Sequence, residues 1–358
     1  LTKVVSPNET DFTIKYEYSL GNTDTDIAWA KTMHYDVFNE DSTINTILFC
    51  DGLGKIIQTK KTMEINGQEK RVVSGKIIYD DYARKIAEYY PKEEAITAND
   101  ISINTENEDN TAPTQYQYDI LNRITKTTYP DGTADSIVYD ISENKFRTKH
   151  IDAMGNIVTS YFDYRNLPTK ITNSVGSTIL EYDQLGQKLS TTDPDNIQTS
   201  YTYDMLGRKT SRTHPDAGLH SYSYDQASNL ISIDKNGLQT NYTYEYNRLK
   251  EVEYSEFQEN KITYTYGNAN AASNQKGRIV AIEDINGWVH FEYDKLGNVS
   301  KETKIVVLPN EAGIFQFSML FDYDSWARVK SMQYPDGEIV YYSYDRGGNL
   351  KKLSGSKI

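Results

Sequence analysis

The residues that could do chemistry in this sequence recur at a fixed interval. An aromatic followed by an acid appears as Tyr79-Asp80, Tyr118-Asp119, Tyr139-Asp140, Phe162-Asp163, Tyr182-Asp183, Tyr203-Asp204, Tyr224-Asp225, Tyr244-Glu245, Tyr293-Asp294, Tyr323-Asp324 and Tyr344-Asp345. From residue 119 to residue 245 the acids step by 21, 23, 20, 21, 21 and 20 residues. Paired carboxylates cleave glycosidic bonds when they stand about 5–10 Å apart across a cleft. Here each acid carries a turn signature, so the expected role is structural. Arg84, Arg123, Arg208 and Arg328 follow the acids by four. They could bind an anionic ligand; the bland expectation is that they neutralise turn carboxylates at a wet surface.

The remaining candidates are isolated. His34, His150, His214, His220 and His290 lack metal-ligand spacing, although His214 and His220 flank one hairpin turn. Asp24-Thr-Asp26 with Asn22 faintly resembles a calcium loop but lacks its central glycine and distal glutamate. Cys50 sits beside Asp51 with no nearby histidine to activate it. Phosphate-binding glycine loops, nucleophile elbows and His-Glu-x-x-His are absent. The expectation is a chain with no catalytic, cofactor or metal site, and so not an enzyme.

The elements that carry the acids read clearly from Tyr201-Thr-Tyr203-Asp204-Met-Leu206-Gly207-Arg208. Tyr201 and Tyr203 share one face of a strand. Asp204 opens a turn by accepting backbone N–H groups ahead of it. Gly207 closes the turn with a positive φ. Leu206, with Leu53, Leu121, Leu185 and Leu296 at the same place, is expected to fold back over the hairpin end. A second strand, Arg208 to Thr213, leads to a return turn at His214-Pro-Asp-Ala-Gly218. Similar returns are Tyr129-Pro-Asp-Gly132, Asp193-Pro-Asp-Asn196 and Tyr334-Pro-Asp-Gly337. Two short strands and two turns per unit make a continuous antiparallel meander. Accumulated strand twist must coil it into a spiral or shell. The fold class is therefore all-β: tandem antiparallel β-hairpin repeats forming a spiralling strip or partial β-shell.

Composition agrees. The 358 residues include 30 Tyr against 10 Phe and 3 Trp, and tyrosine favours half-wet sheet. The tyrosine pairs are expected to stack along the sheet from hairpin to hairpin; an exposed sugar- or protein-binding face is the alternative. A net charge of −13 argues against nucleic acid, which needs a basic groove, and no apolar run is long enough to span a bilayer. Leu1 in place of Met reads as a processed or excised chain, and one cysteine excludes a disulfide framework. Helix signals are nearly absent; Pro91 splits the best candidate, Ala83 to Ile101. The expected division is a leading β segment over 1–48, a repeat array over 49–353 and a tail over 354–358. A polar loop at about 92–114 and an insertion at about 304–316 interrupt the array.

The recurring Tyr-x-Tyr-Asp-x-x-Gly-Arg resembles the YD repeat of bacterial Rhs proteins, insecticidal toxin complexes and animal teneurins. Tyr118-Asp119-Ile-Leu-Asn122-Arg123, Tyr203 to Arg208, Tyr293 to Asn298 and Tyr344 to Asn349 carry the match. Phe49-Cys-Asp51-Gly-Leu-Gly54-Lys55 is similar to the start of the repeats in toxin B components and their SpvB-like relatives. The resemblance implies a β-strip spiralling into a hollow cocoon that sequesters a C-terminal toxin or cargo segment, in a secreted or cell-surface bacterial protein. Implied partners are the remainder of the same polypeptide or that cargo, with secretion machinery or surface proteins beyond it. The self-cleaving aspartates of the family have no counterpart here, since Asp193-Pro-Asp195-Asn196 is a return turn. An adhesion or interaction scaffold is the alternative function.

Overall fold

The computed structural model describes residues 2–5, 12–21, 27–37, 42–65, 68–96, 101–106, 108–257, 259–271, 274–308 and 313–356. Among them are thirty-one strands and no helix. Every strand pairing is antiparallel, in two sheets. The first has seven strands, in the order Lys3–Val4, Ile14–Ser19, Ala28–Tyr35, Thr43–Cys50, Ile56–Ile65, Gln68–Val73 and Lys92–Glu94. The second starts at Ile77–Tyr79 and Lys85–Glu88, passes to Thr114–Tyr118, and runs hairpin by hairpin to Leu350–Gly355. No register among the described strands joins Leu350–Gly355 to Ile77–Tyr79, so this sheet is an open strip.

The well-buried side chains lie mainly in the first sheet, where Ile47, Phe49, Gln58 and Val73 are almost fully enclosed. The loop at 101–106 helps cover them, with the Gln58 side-chain amide donating to the Asn104 carbonyl (2.8 Å) and accepting the Asn104 N–H (2.8 Å). The strip is a single layer. Along Gln198–Tyr203 every second residue, Thr199, Tyr201 and Tyr203, is half-buried, and those between are exposed. On this strand Thr199, Tyr201 and Tyr203 share one face, and Gln198, Ser200 and Thr202 the other. The accessible surface is 22720 Å², whereas a compact protein of 41.0 kDa exposes about 14,700 Å². The excess is the two open faces of one layer.

The strip curls because neighbouring hairpins part at one rim. Strands Lys188–Thr192 and Gln198–Tyr203 pair only from Ser190↔Ser200 to Thr192↔Gln198, beside the return turn. Towards the Tyr-Asp turns they diverge. The same short overlap joins 126–128 to 134–136 and 331–333 to 339–341. A fan opened repeatedly at one rim must bend, and it comes round on itself. Tyr90, just beyond the first hairpin of the strip, donates to Asp345 Oδ2 at 2.8 Å in its last turn. Twenty-four strands at about 4.8 Å spacing make a band roughly 115 Å long, or a ring roughly 35 Å across.

Two expectations about segments change. Lys92–Glu94 is a strand pairing with Arg71–Val73, so the polar loop begins after it; Glu94 is drawn in by Lys60, whose Nζ lies 2.7 Å away. The insertion is a lengthened hairpin, Val299–Val307 with Ile314–Tyr323, paired from Lys301↔Leu320 to Val307↔Ile314.

Candidate functional site

The recurring unit builds a brace rather than a cleft. In the turn at 204–208 the Gly207 N–H donates to the Asp204 carbonyl (3.0 Å) and the Asp204 N–H to the Arg208 carbonyl (2.9 Å). Asp204 Oδ1 accepts the N–H groups of Leu206 and Arg208, each at 2.9 Å. Its Oδ2 accepts Arg208 Nε at 2.7 Å. Gly207 has φ 79°, and Asn122, Asn166, Ser228 and Ala327 take the same left-handed place in other copies. The expected turns at 225–228, 294–297 and 345–348 are built the same way.

The aromatic and the arginine then fill the wedge between hairpins. Tyr203 donates its hydroxyl to the Lys188 carbonyl (3.0 Å), which the parted ladder leaves free. Tyr118, Tyr224, Tyr244, Tyr266, Tyr293, Tyr323 and Tyr344 do the same to Lys85, Lys209, Leu230, Leu249, Ile279, Val299 and Val329, at 2.6–2.9 Å. Arg208 Nη1 reaches forward to the Asp225 carbonyl at 3.0 Å, and its guanidinium lies 4.8 Å from the Tyr224 ring centre. Arg84, Arg123 and Arg328 lie over Tyr118, Tyr139 and Tyr344 at 5.0, 4.0 and 4.3 Å. At 80–84, 119–123, 204–208 and 324–328 a carboxylate and a guanidinium thus link one turn to an aromatic ring of the next hairpin, whereas Asn229, Asn298 and Asn349 stand in the arginine's place in other copies.

Electrostatics follow. The Arg208 amide N–H donating to Asp204 is the largest effect on that carboxyl. Against some desolvation, it and the guanidinium hold the group below its ordinary range. For Asp80 the Arg84 side chain is the largest effect, and it too holds the carboxyl below its ordinary range. Burial pushes the Tyr203, Tyr224 and Tyr244 phenols up. A depressed acid bonded to its own turn is poorly suited to proton transfer.

Several expectations are corrected here. Asp140 opens no turn: it lies in Ala134–Ser142 opposite Arg147, which donates Nε to it at 2.7 Å. Glu245 likewise ends a strand, and Tyr246 and Asn247 make the turn, both with positive φ. Leu206, Leu121, Leu185 and Leu53 do not fold back; they are 66–84% exposed at the turn tips. The tyrosines do not stack on one another. Tyr139, Phe146 and Phe162 form one ring cluster, with centroids 6.4 and 5.8 Å apart, but elsewhere cations intervene.

The isolated candidates find ordinary surroundings. His214 Nδ1 accepts the turn N–H groups of Asp216 and Ala217 at 3.1 and 3.3 Å. Cys50 is a half-buried free thiol at a strand end. Asn22, Asp24 and Asp26 lie outside the described residues. No group of three or more His, Cys, Asp or Glu among the described residues could hold a metal.

A second arrangement was not legible in the sequence: a seam where the strip meets the first sheet. Ser325 Oγ donates to Asp36 Oδ2 at 2.6 Å. Arg328 Nη2 donates to the Glu64 carbonyl at 3.3 Å, and Lys61 Nζ sits 3.8 Å from the Trp326 ring centre. Further along, Asn349 donates to the Tyr90 hydroxyl (2.9 Å) and Arg346 pairs with Asp109 (2.8 Å). Trp326 occupies the tip position that Leu206 leaves bare.

Comparisons with known proteins agree with this architecture. The RHS Repeat family model matches residues 102–134 and 182–219. No curated protein matches the chain. Among solved structures, the crystal structure of TcdB2-TccC3 superposes with TM-score 0.68 at 17% identity, over 96% of this chain and 20% of that one. The Photorhabdus luminescens Tc holotoxin pore gives 0.65 at 16%, over 92% and 19%. The crystal structure of TcdB2-TccC3-Cdc42 gives 0.65 at 17%, over 92% and 19%. The chain spans about a fifth of the length of these neighbours. Two stretches of the chain thus match the RHS Repeat model, and its fold is similar to that of the TcdB2-TccC3 structures.

Proposed function

We propose that the chain is a non-catalytic wall segment of a large secreted or surface-exposed bacterial protein, and that it encloses or presents another segment of that protein. The observation that carries this reading is the single-layer strip curling until its last turns dock on the first sheet. Such a layer has two open faces and almost no core of its own, which suits a wall better than a catalytic domain. Most of the repeat acids are held in turns and Asp140 is paired with Arg147, so the chain is assigned no hydrolase activity and no cofactor. The partner is the remainder of the polypeptide or a cargo segment within it.

The test is protease protection. The full-length gene product, with this segment intact, should shield its downstream segment from a protease that digests that segment when made alone. Opening the seam with Trp326→Ala and Arg328→Ala together should remove the shielding. A downstream segment cut equally fast in both proteins would refute the wall reading. An interaction scaffold draws on Tyr82, Tyr164 and Tyr246, which are 79–94% exposed at turn tips. Binding to cells or glycans that fails when these three become alanine, without any shielding, would favour it.

A further inference from the structure

The polar loop is clamped onto the first sheet at a point where an amine, a carboxylate and a carboxamide meet. Lys60 lies in Ile56–Ile65 with its side chain 4% exposed, and its Nζ stands 2.7 Å from Oε1 of Glu94, the last residue of Lys92–Glu94. The other oxygen of that carboxylate, Oε2, accepts Asn104 Nδ2 at 2.8 Å. One carboxylate therefore bridges amine and amide, and the two nitrogens are separated only by its width and two hydrogen bonds. Three further bonds fix Asn104. The buried Gln58 side chain takes both its backbone N–H and its carbonyl, each at 2.8 Å. The Glu106 N–H donates to Asn104 Oδ1 at 2.9 Å.

These are the parts of an acyl transfer. An amine becomes nucleophilic once a base takes its proton, and Glu94 touches both the amine and the nitrogen that would leave. The Glu106 N–H points at the oxygen on which negative charge develops during attack. The fold holds nucleophile and acyl group side by side, which removes most of the entropic barrier to their meeting. A simple ion pair accounts for Lys60 and Glu94. It needs neither the carboxamide on the second carboxylate oxygen nor the N–H on Asn104 Oδ1.

We propose that Lys60 and Asn104 join in an isopeptide bond, formed once per chain and without a cofactor. Lys60 Nζ attacks Asn104 Cγ; the new C–N bond forms and the Cγ–Nδ2 bond breaks. Of the three ammonium protons, one stays on the new amide. Glu94 passes the other two to Nδ2, which leaves as ammonium, and the carboxylate is regenerated. The product replaces a buried ammonium by an amide, removing a charge that burial penalises. Glu94 keeps Arg71, whose Nη1 lies 4.0 Å from the same Oε1. The loop thereby becomes a covalent strap on the first sheet, and its Asp109 carries that hold to Arg346 in the last turn of the strip.

Mass spectrometry of the denatured chain is the test. The intact mass should be lower than the sequence mass by one ammonia, and a protease digest should contain a branched peptide joining Lys60 to Asn104. Lys60→Arg, Asn104→Ala and Glu94→Gln should each restore the full sequence mass. A parent chain at its full sequence mass would overturn the proposal, whatever the variants do. Loss of ammonia without the branched peptide would overturn it too, because that is the mark of a cyclic imide at an asparagine. Equal cross-linking in Glu94→Gln would overturn the mechanism by removing the carboxylate from it.

Discussion

Tyr203 and Lys188 belong to successive hairpins, and the phenol of the first donates to the backbone carbonyl of the second at 3.0 Å. That bond lies where the two hairpins have already parted, so no strand can satisfy the carbonyl. Tyr203→Phe keeps the ring and removes only the donor. The expected loss is about 1 kcal/mol, the usual net worth of one such bond. A urea titration should show it, while Tyr201→Phe, whose hydroxyl makes no such bond in this turn, should change little.

Arg208 joins three groups: Asp204, the Asp225 carbonyl and the Tyr224 ring. Lysine has one ammonium and no planar fork, so it cannot hold all three. Arg208→Lys should therefore cost about 1 kcal/mol. Amide exchange should quicken in the next turn, 225–229, as well as at 204–208. Quickening confined to 204–208 would mean that Arg208 serves its own turn alone.

The turn acids set the acid limb of stability. Asp80, Asp119, Asp163, Asp204, Asp225 and Asp345 all titrate below their ordinary range. The largest single influence is the Arg84 side chain for Asp80, the Arg208 amide for Asp204 and the Asn229 side chain for Asp225. For Asp119, Asp163 and Asp345 it is desolvation, which pushes upward and is outweighed by the donors. A folded pKa below the unfolded value of about 3.9 means the unfolded chain binds more protons in acid. Stability is thus complete above about pH 5 and falls as pH drops through the folded values. A chain with Asp204→Asn and Asp225→Asn should show a shallower acid limb in urea midpoints.

The repeat made the turns legible, because Asp and a small or Gly residue three places on leave few alternatives to this loop. It also made the return turns legible through Pro-Asp. What stayed hidden depended on neighbours far away in the chain. Leu206 looked like a cap, yet nothing lies above its hairpin; at the same place Trp326 meets Lys61. Asp140 matched the repeat by spacing, but Glu143 and Asn144 can both adopt positive φ and carry the turn beyond it. The tyrosine spacing gave the shared face but not the hydroxyl bond, which depends on the angle between hairpins. The seam, spanning 255 residues from Tyr90 to Asp345, had no local signature.

Gly207 tests the register of the array. Its φ of 79° is a region that β-branched residues avoid, and an added Cβ would stand 3.2 Å from Gln187 Nε2 in the preceding turn. Gly207→Val should cost roughly 1–3 kcal/mol. Because each hairpin rests on its neighbours, exchange should quicken at 182–189 and 224–231 too. Glu106→Ala, which removes a solvated side chain from the polar loop, should leave exchange unchanged.

The seam should be the weakest joint of the curled strip, because its bonds are few and mostly polar. Tyr90 both donates to Asp345 and accepts from Asn349, so Tyr90→Phe removes two contacts at once. Arg346→Ala removes the pair with Asp109, whose side chain is only 8% exposed, and leaves that carboxylate without its guanidinium. The double variant should keep the strip's hairpins, since each Asp345 turn bond except that to Tyr90 is internal to the turn. Its strand content by circular dichroism should match that of the parent. The radius of gyration from small-angle X-ray scattering should rise as the ends part, and amide exchange at 345–349 should quicken. An unchanged radius would show that Ser325, Trp326 and Arg328 hold the ring closed without Tyr90, and that the closing contact lies at Asp36 and Glu64.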